Sequence, residues 1–152
     1  MRSIVQKGDS NMNVLIDTNV AIDVLIHREP FFELSQLVML ASEQKVIDGY
    51  VTASSVTDIF YITNNHLKDR TATYKLLKDH LIGTVDIAAV DSKSIVDALD
   101  LEWGDFEDCV QYVVSESIAA DYIVTRNPKD YKNDAIKVVT PEELLNIIAP
   151  EE

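Results

Sequence analysis

The sequence predicts an α/β protein, a three-layer α/β/α sandwich around a central, mostly parallel sheet. Three observations predict it. Val14-Leu15-Ile16 is a short continuous apolar run that stops on Asp17, the pattern of a strand covered by helices on both faces. Tyr122-Ile123-Val124 repeats the pattern and ends on Thr125-Arg126-Asn127. Other short strand-like runs alternate with helical patterns, and strands separated by helices pair in parallel through right-handed crossovers.

Taken in order, residues 1–11 carry no periodic pattern and read as a leader or vector remnant, leaving 12–150 as one domain. The strand Val14–Asp17 leads to a short helix, Val20–Ile26. Pro30–Lys45 is the next helix, with Phe31, Leu34, Val38 and Ala41 on its apolar stripe. Gly49–Thr52 is a strand and Ser55–Asn65 a helix, opened by Ser55-Val56-Thr57-Asp58 as a capping box with Asp in place of Glu. Asp69 caps a helix that reaches Leu81. Thr84–Val90 is a strand, and Asp91 opens a helix to Leu101. Asp105–Ser117 is a helix, and Tyr122–Val124 and Ile136–Val139 are the last strands. Thr140-Pro141-Glu142-Glu143 then combines a Thr cap, Pro at the first helical position and Glu three after the cap, starting the helix Glu142–Ile148.

The bulk numbers narrow the class. A chain of 152 residues, 47% hydrophobic with only four Gly and four Pro, buries a good core and is not disordered. No apolar stretch approaches the ~20 residues of a transmembrane helix, and the N-terminus lacks a signal peptide's apolar core. The single cysteine, Cys109, rules out an intrachain disulfide framework and fits a reducing cytoplasm. Net charge is −13. That argues against a nonspecific DNA coat protein but not against a nuclease, because acids that hold cations count as negative only in the empty protein. It also fits a protein that meets a basic partner.

The acids carry the chemical signal. Asp17 ends a buried strand, where open α/β sheets bind ligands, and a carboxylate there is costly unless paired, hydrogen-bonded or metal-bound. Asp105 and Asp108 are three apart on a helix, so both can aim at one point. The competing reading makes Asp105 an N-cap and Asp108 a group that favours the helix's positive end. Asp58 has the same ambiguity. Acids gathered from separate segments onto one sheet edge point to a hard divalent cation, which takes oxygen ligands and can assist phosphodiester cleavage.

Leu15-Ile16-Asp17-Thr18-Asn19, Ser54-Ser55-Val56-Thr57-Asp58, Asp105-Phe106-Glu107-Asp108 and Ile123-Val124-Thr125-Arg126-Asn127 together resemble the PIN domain in order and spacing, from about Met12 to Ile148. That family includes the VapC-type toxins of bacterial toxin–antitoxin pairs. The resemblance implies a Mg²⁺- or Mn²⁺-dependent ribonuclease that leaves 5′-phosphate and 3′-hydroxyl ends. It implies Asp17, Asp58 and Asp108 as catalytic metal ligands, with Asp105 as an accessory neighbour and Asn127, where many members carry a fourth Asp, as weaker or supporting metal-site residues. Asp58 stands where Glu is usual. Thr125 and Asn19 are expected to steady the acids or a bound water. An antitoxin partner and a homodimer are further implications, the dimer also suggested by a mean hydropathy of +0.01, high for so charged a chain.

Phosphate contacts are expected from Arg126, Lys129 and Lys132, which follow the strand ending at Asn127, although a solvated basic turn would look the same. Lys68, Arg70, Lys75 and Lys78 read as an exposed helix face. His27, His66 and His80 lack metal-type spacing. Cys109 reads as a core filler. Phe31, Phe32, Phe60, Tyr61 and Trp103 are expected in the core or an oligomer interface. Asp121 precedes a strand and is left out of the site. Two rivals remain: a PIN-like module that binds RNA or protein without cutting, and a haloacid-type phosphatase, disfavoured because Asp17-Thr18-Asn19 lacks a second Asp two residues on.

Overall fold

The computed structural model describes residues 12–133 and 135–149, so the expected leader lies outside the described residues. Within them the chain runs β1 (Met12–Ile16), α1 (Thr18–Leu25), α2 (Phe32–Glu43), β2 (Ile47–Thr52), α3 (Ala53–Leu67), α4 (Arg70–His80), β3 (Asp86–Ala88), α5 (Ser92–Leu101), α6 (Phe106–Ser117), β4 (Tyr122–Val124), a 3₁₀ turn (Pro128–Asp130), β5 (Lys137–Val139) and α7 (Pro141–Ile148). The sheet order is β3-β2-β1-β4-β5, and each neighbouring pair is parallel. This is the expected α/β/α sandwich.

Strand alternation builds the layers. Val14 and Ile16 of β1 join a core cluster with residues of α1, α2 and α7, whereas Leu15 packs with Cys109, Val113 and Ala98 of α5 and α6 on the other face. Each such fully buried side chain contributes roughly 1.5–3 kcal/mol, which is why the last three residues of the central strand are all apolar. Gly49 of β2 serves the first face: a Cβ there would collide with Ser42 of α2, whose hydroxyl donates to the Thr84 carbonyl at 2.5 Å.

The chain leaves β1 toward β2 and β3, then returns through α5 and α6 to β4. That reversal opens a crevice beyond the carboxyl ends of β1 and β4. Ile16 is in register with Val124, and the Asp17 N–H donates to the Val124 carbonyl at 2.9 Å, so Asp17 and Thr125 stand side by side at its floor.

Asp69, Asp91 and Thr140 cap their helices as expected, Thr140 in a reciprocal box with Glu143. Two expectations change. The cap of α3 is Thr52, whose hydroxyl accepts from the Ser55 N–H at 3.0 Å, so Asp58 lies a turn inside the helix and has no capping duty. On α2, Phe31 and Leu34 are exposed, and the buried face is Ser35, Val38, Met39, Ala41 and Ser42. Val38 and Ala41 of the expected stripe are buried, but the face is rotated away from Phe31 and Leu34 because Ser35 and Ser42 turn inward to hydrogen-bond with Asp23 and the Thr84 carbonyl. Among the described residues no helix is long and apolar enough to cross a membrane.

Candidate functional site

Asp17 is only 4% exposed, and its carboxylate is held by donors from three elements. Oδ2 accepts from the Thr125 hydroxyl at 2.6 Å and the Tyr131 phenol at 3.1 Å. Oδ1 accepts from the Gln111 amide at 3.3 Å and, at 3.4 Å, from the backbone N–H of Asn19, which makes Asp17 the cap of α1. A buried carboxylate is costly unless its oxygens find such donors. Thr125 therefore steadies the acid as expected. Asn19 does so through its backbone; its side-chain Oδ1 is buried without a hydrogen-bond partner.

At the start of α6 the two acids take different places. Asp105 is the N-cap, accepting from the Asp108 N–H at 3.0 Å. Asp108 is not a cap. It is buried beneath the crevice, and its carboxyl is pushed up to about 7 by burial, then by the negative charges of Asp17, Asp105 and Asp130. Glu107 keeps more of its surface in solvent, yet its carboxyl rises to about 8, chiefly through a hydrogen bond with Asp58, then burial and the charges of Asp58, Asp17 and Asp105. Two carboxyls can hydrogen-bond only when one carries a proton. Asp58, Glu107, Asp108 and Asp17 thus form one electrostatically coupled group drawn from α3, α6 and the end of β1.

Sequence reasoning assigns no role to three contributors. Glu107 is hidden between Asp105 and Asp108. Tyr131 follows the 3₁₀ turn, and its phenol, driven up by burial and by the Asp17 and Asp108 charges, stays protonated as a donor to Asp17. Gln111 is fully buried and reaches Asp17, Asp108 (3.5 Å) and the Tyr131 oxygen (3.1 Å) through Nε2. Its Oε1 accepts from the Thr18 N–H at 3.3 Å, a group that can only donate, which fixes the amide's orientation. One signal was legible: Gln111 is a lone polar residue inside Cys109-Val110-Gln111-Tyr112-Val113-Val114, three after Asp108 and so on its face.

The donor chemistry fits a hard divalent cation. Asp17, Asp58, Glu107 and Asp108 offer oxygen only, the set that suits Mg²⁺ or Mn²⁺. Burial at Asp108 and the hydrogen bond to Asp58 at Glu107, reinforced by neighbouring negative charge, make both carboxyls retain protons near neutral pH, the charge that a bound cation would replace. No group of three such side chains among the described residues is already closed around a point, so ligation would require these carboxyls to turn inward.

The PIN domain signature matches residues 13–129, well over half of the chain. The chain belongs to the PIN domain family. No curated protein matches it in sequence. Among solved structures, FitAcB from Neisseria gonorrhoeae superposes with a TM-score of 0.64 at 15% identity, covering 85% of this chain and 98% of that one. VapC20 from Mycobacterium tuberculosis, a toxin that cleaves the sarcin-ricin loop, superposes with a TM-score of 0.60 at 9% identity, covering 72% and 86%. At these identities the likeness is one of fold.

The remaining expected residues of this PIN domain divide. Asn127 is exposed; its N–H donates to the Thr125 hydroxyl at 3.2 Å, and its side chain makes no capping bond to the 3₁₀ turn that follows. The acid brought electrostatically nearest from that turn is instead Asp130, which acts on Asp108. Lys129 and Lys132 are exposed at the same turn, with Lys132 Nζ on the Lys129 carbonyl at 3.0 Å. Arg126 departs from expectation: its Nε is engaged by buried Asp23 at 2.8 Å and its guanidinium lies 4.0 Å over the Phe31 ring. Cys109 is a buried filler whose thiol donates to the Ala98 carbonyl at 3.4 Å, and Trp103 stacks on Tyr112. Tyr61 is 66% exposed, outside the core. Asp121 accepts from the Asn13 N–H, away from the acids.

Proposed function

We propose that this PIN domain is a divalent-metal-dependent endoribonuclease of single-stranded RNA, using Mg²⁺ or Mn²⁺, and that it is the toxin of a toxin–antitoxin pair working in the cytoplasm as a homodimer. The observation that carries the reading is the coupled acid group at the β1/β4 switch point, where Glu107 and Asp108 hold protons up to about 8 and 7. Perturbed carboxyls that converge on a crevice mark functional sites.

Asp17, Asp58 and Asp108 would hold the cation, with Glu107 completing the set and Asp105, Asn127 and Asp130 contributing charge or a carbonyl oxygen from the rim. Bound there, it supplies an activated water and neutralises charge that develops on the phosphate oxygens. The chain's own residues do the rest. Thr125, Tyr131 and Gln111 fix the Asp17 carboxylate by hydrogen bonds, so it enters ligation without first losing rotational freedom. Asp105 anchors the first turn of α6 and so sets where Glu107 and Asp108 project. Lys129 and Lys132 offer exposed ammonium groups to the RNA chain beside the crevice. The structural neighbour that cleaves the sarcin-ricin loop supports RNA as the substrate class.

A second reading, a PIN domain that binds RNA or a protein without cutting, is favoured by the open arrangement of the acids and by neutral Asn127. Incubating the purified chain with a panel of single-stranded RNAs, with Mg²⁺, Mn²⁺ or chelator, separates the two. Cleavage that chelator abolishes is expected. Chelator-resistant cleavage, or none with any divalent ion, overturns the nuclease reading.

A further inference from the structure

We propose that Asp23 and Arg126 form a positioning pair that clamps the loop after β4 onto α1 and so keeps the Thr125 hydroxyl on Asp17. Its link to catalysis rests on the metal-dependent nuclease reading; the clamp itself does not.

The geometry closes a ring. Asp17 caps the start of α1, and Asp23 lies six residues later on the same helix, ~9 Å along its axis. Asp23 Oδ2 accepts from Arg126 Nε at 2.8 Å and from the Ser35 hydroxyl at 3.2 Å, and Arg28 Nη1 approaches Oδ1 at 3.8 Å. Arg126 directly follows Thr125, whose hydroxyl donates to Asp17 at 2.6 Å. The circuit therefore runs from Asp17 through Thr125 and the peptide chain to Arg126, across to Asp23, and back along a rigid helix. The guanidinium carbon also lies over the Phe31 ring, 4.0 Å from its centroid. The loop's angle also decides the hydroxyl's role: the Asn127 N–H occupies an oxygen lone pair of Thr125, leaving its only proton for Asp17.

The energetics point the same way. Asp23 is completely buried, and burial raises its carboxyl's affinity for a proton by more than Arg126, Ser35 and Arg28 lower it. A buried ion pair whose desolvation outweighs its attraction is a poor source of stability, while it does fix one arrangement of the groups that make it. A hydrophobic pair of similar size would hold the two elements together but would not dictate the loop's orientation. Arg126 on this account is a positioning residue and not a phosphate ligand, unlike exposed Lys129 and Lys132.

The test uses the full chain and the double variant Asp23→Asn/Arg126→Met, which removes both charges and leaves neither stranded. Amide hydrogen exchange in chelator should accelerate at least tenfold across residues 125–131 while β1 and α6 exchange as in wild type. Calorimetric Mn²⁺ affinity should weaken at least fivefold, and Arg126→Lys, which keeps a point charge, should fall between the two in both measurements. If the double variant does not fold, Arg126→Lys alone carries the comparison. Wild-type exchange across 125–131 overturns the clamp, whatever the metal data show. Faster exchange with unchanged Mn²⁺ affinity and a higher KM for RNA supports the clamp but overturns its link to Asp17, and makes Arg126 a direct phosphate contact. If the wild-type chain itself takes up no Mn²⁺, the metal reading falls, and exchange alone decides the clamp.

Discussion

Helices α5 and α6 both begin with an aspartate whose side chain accepts the backbone N–H three residues on, and beyond that they diverge. At α5, Asp91 is exposed and takes both the N–H and the hydroxyl of Ser94 at 2.9 Å, which holds its carboxyl below the usual range. At α6, Asp105 makes the equivalent cap, but the third residue is another acid, Asp108, buried against Asp17 and carrying a proton to about 7. In the first case each polar group has a local partner. In the second, charge accumulates beyond what capping uses, and it is destabilising unless something else balances it. The difference is what sets the candidate cation site apart from an ordinary helix start.

The sharpest break of this comparison is in activity. Asp108→Asn should reduce RNA cleavage by about 100-fold or more, the scale on which losing one electrostatic contact to a developing charge is felt. Asp91→Ala should leave cleavage at the wild-type rate and lower Tm by about 2–4 °C, as the loss of a cap does. Equal losses of cleavage in the two variants would erase the distinction. Next in size is Tyr131→Phe. It removes a donor from Asp17 and should weaken Mn²⁺ affinity about 10-fold, within the range for groups that orient a metal ligand; an unchanged calorimetric affinity would remove Tyr131 from the site.

The pH dependence sharpens the comparison at no cost in mutation. Glu107 and Asp108 bind protons more tightly folded than unfolded, where carboxyls titrate near 4. Their contribution to stability is therefore complete below about pH 4 and is lost as pH rises through about 7 to 8. Metal-free protein should melt at least about 3 °C lower at pH 8.5 than at pH 6, and saturating Mn²⁺ should flatten the slope. A chelated protein equally stable at both values would mean that the acids are not crowded. Asn127→Asp is the smallest change expected: a several-fold gain in Mn²⁺ affinity if position 127 turns toward the cation, and none if it stays at the exposed rim.

The fold was legible because its signals are local. Continuous apolar runs marked β1 and β4, and Asp69, Asp91 and Thr140 announced helix starts through chemistry confined to a few residues. Where two local readings competed, long-range contacts decided. Ser55 lost the α3 cap to Thr52, and the inward face of α2 turned to Ser35 and Ser42 because Asp23 and the Thr84 carbonyl needed donors. The site divides in the same way. Asp17 and Thr125 could be read from their places at strand ends, and Asp108 from its spacing. Glu107, Tyr131 and the Asp23–Arg126 pair could not, because each is defined by a partner from a distant segment: Asp58, Asp17, and the opposite ends of one another's elements. Arg126 shows the limit best, since charge alone made it a phosphate contact while a fully buried acid more than a hundred residues earlier claims its Nε.

The central claim is that Asp108 belongs to a cation site and not to the helix start, and thermal unfolding of wild type and Asp108→Asn, each in chelator and in excess Mn²⁺, tests it most directly. Removing one of several crowded carboxyls relieves repulsion, so the variant should melt at or above the wild-type temperature in chelator. Its rise on adding Mn²⁺ should be clearly smaller than the wild-type rise, because a cation stabilises the fold only through its affinity for it. An Asp108→Asn protein that loses the same number of degrees with and without Mn²⁺ would contradict the account and return Asp108 to the role of a helix-start residue.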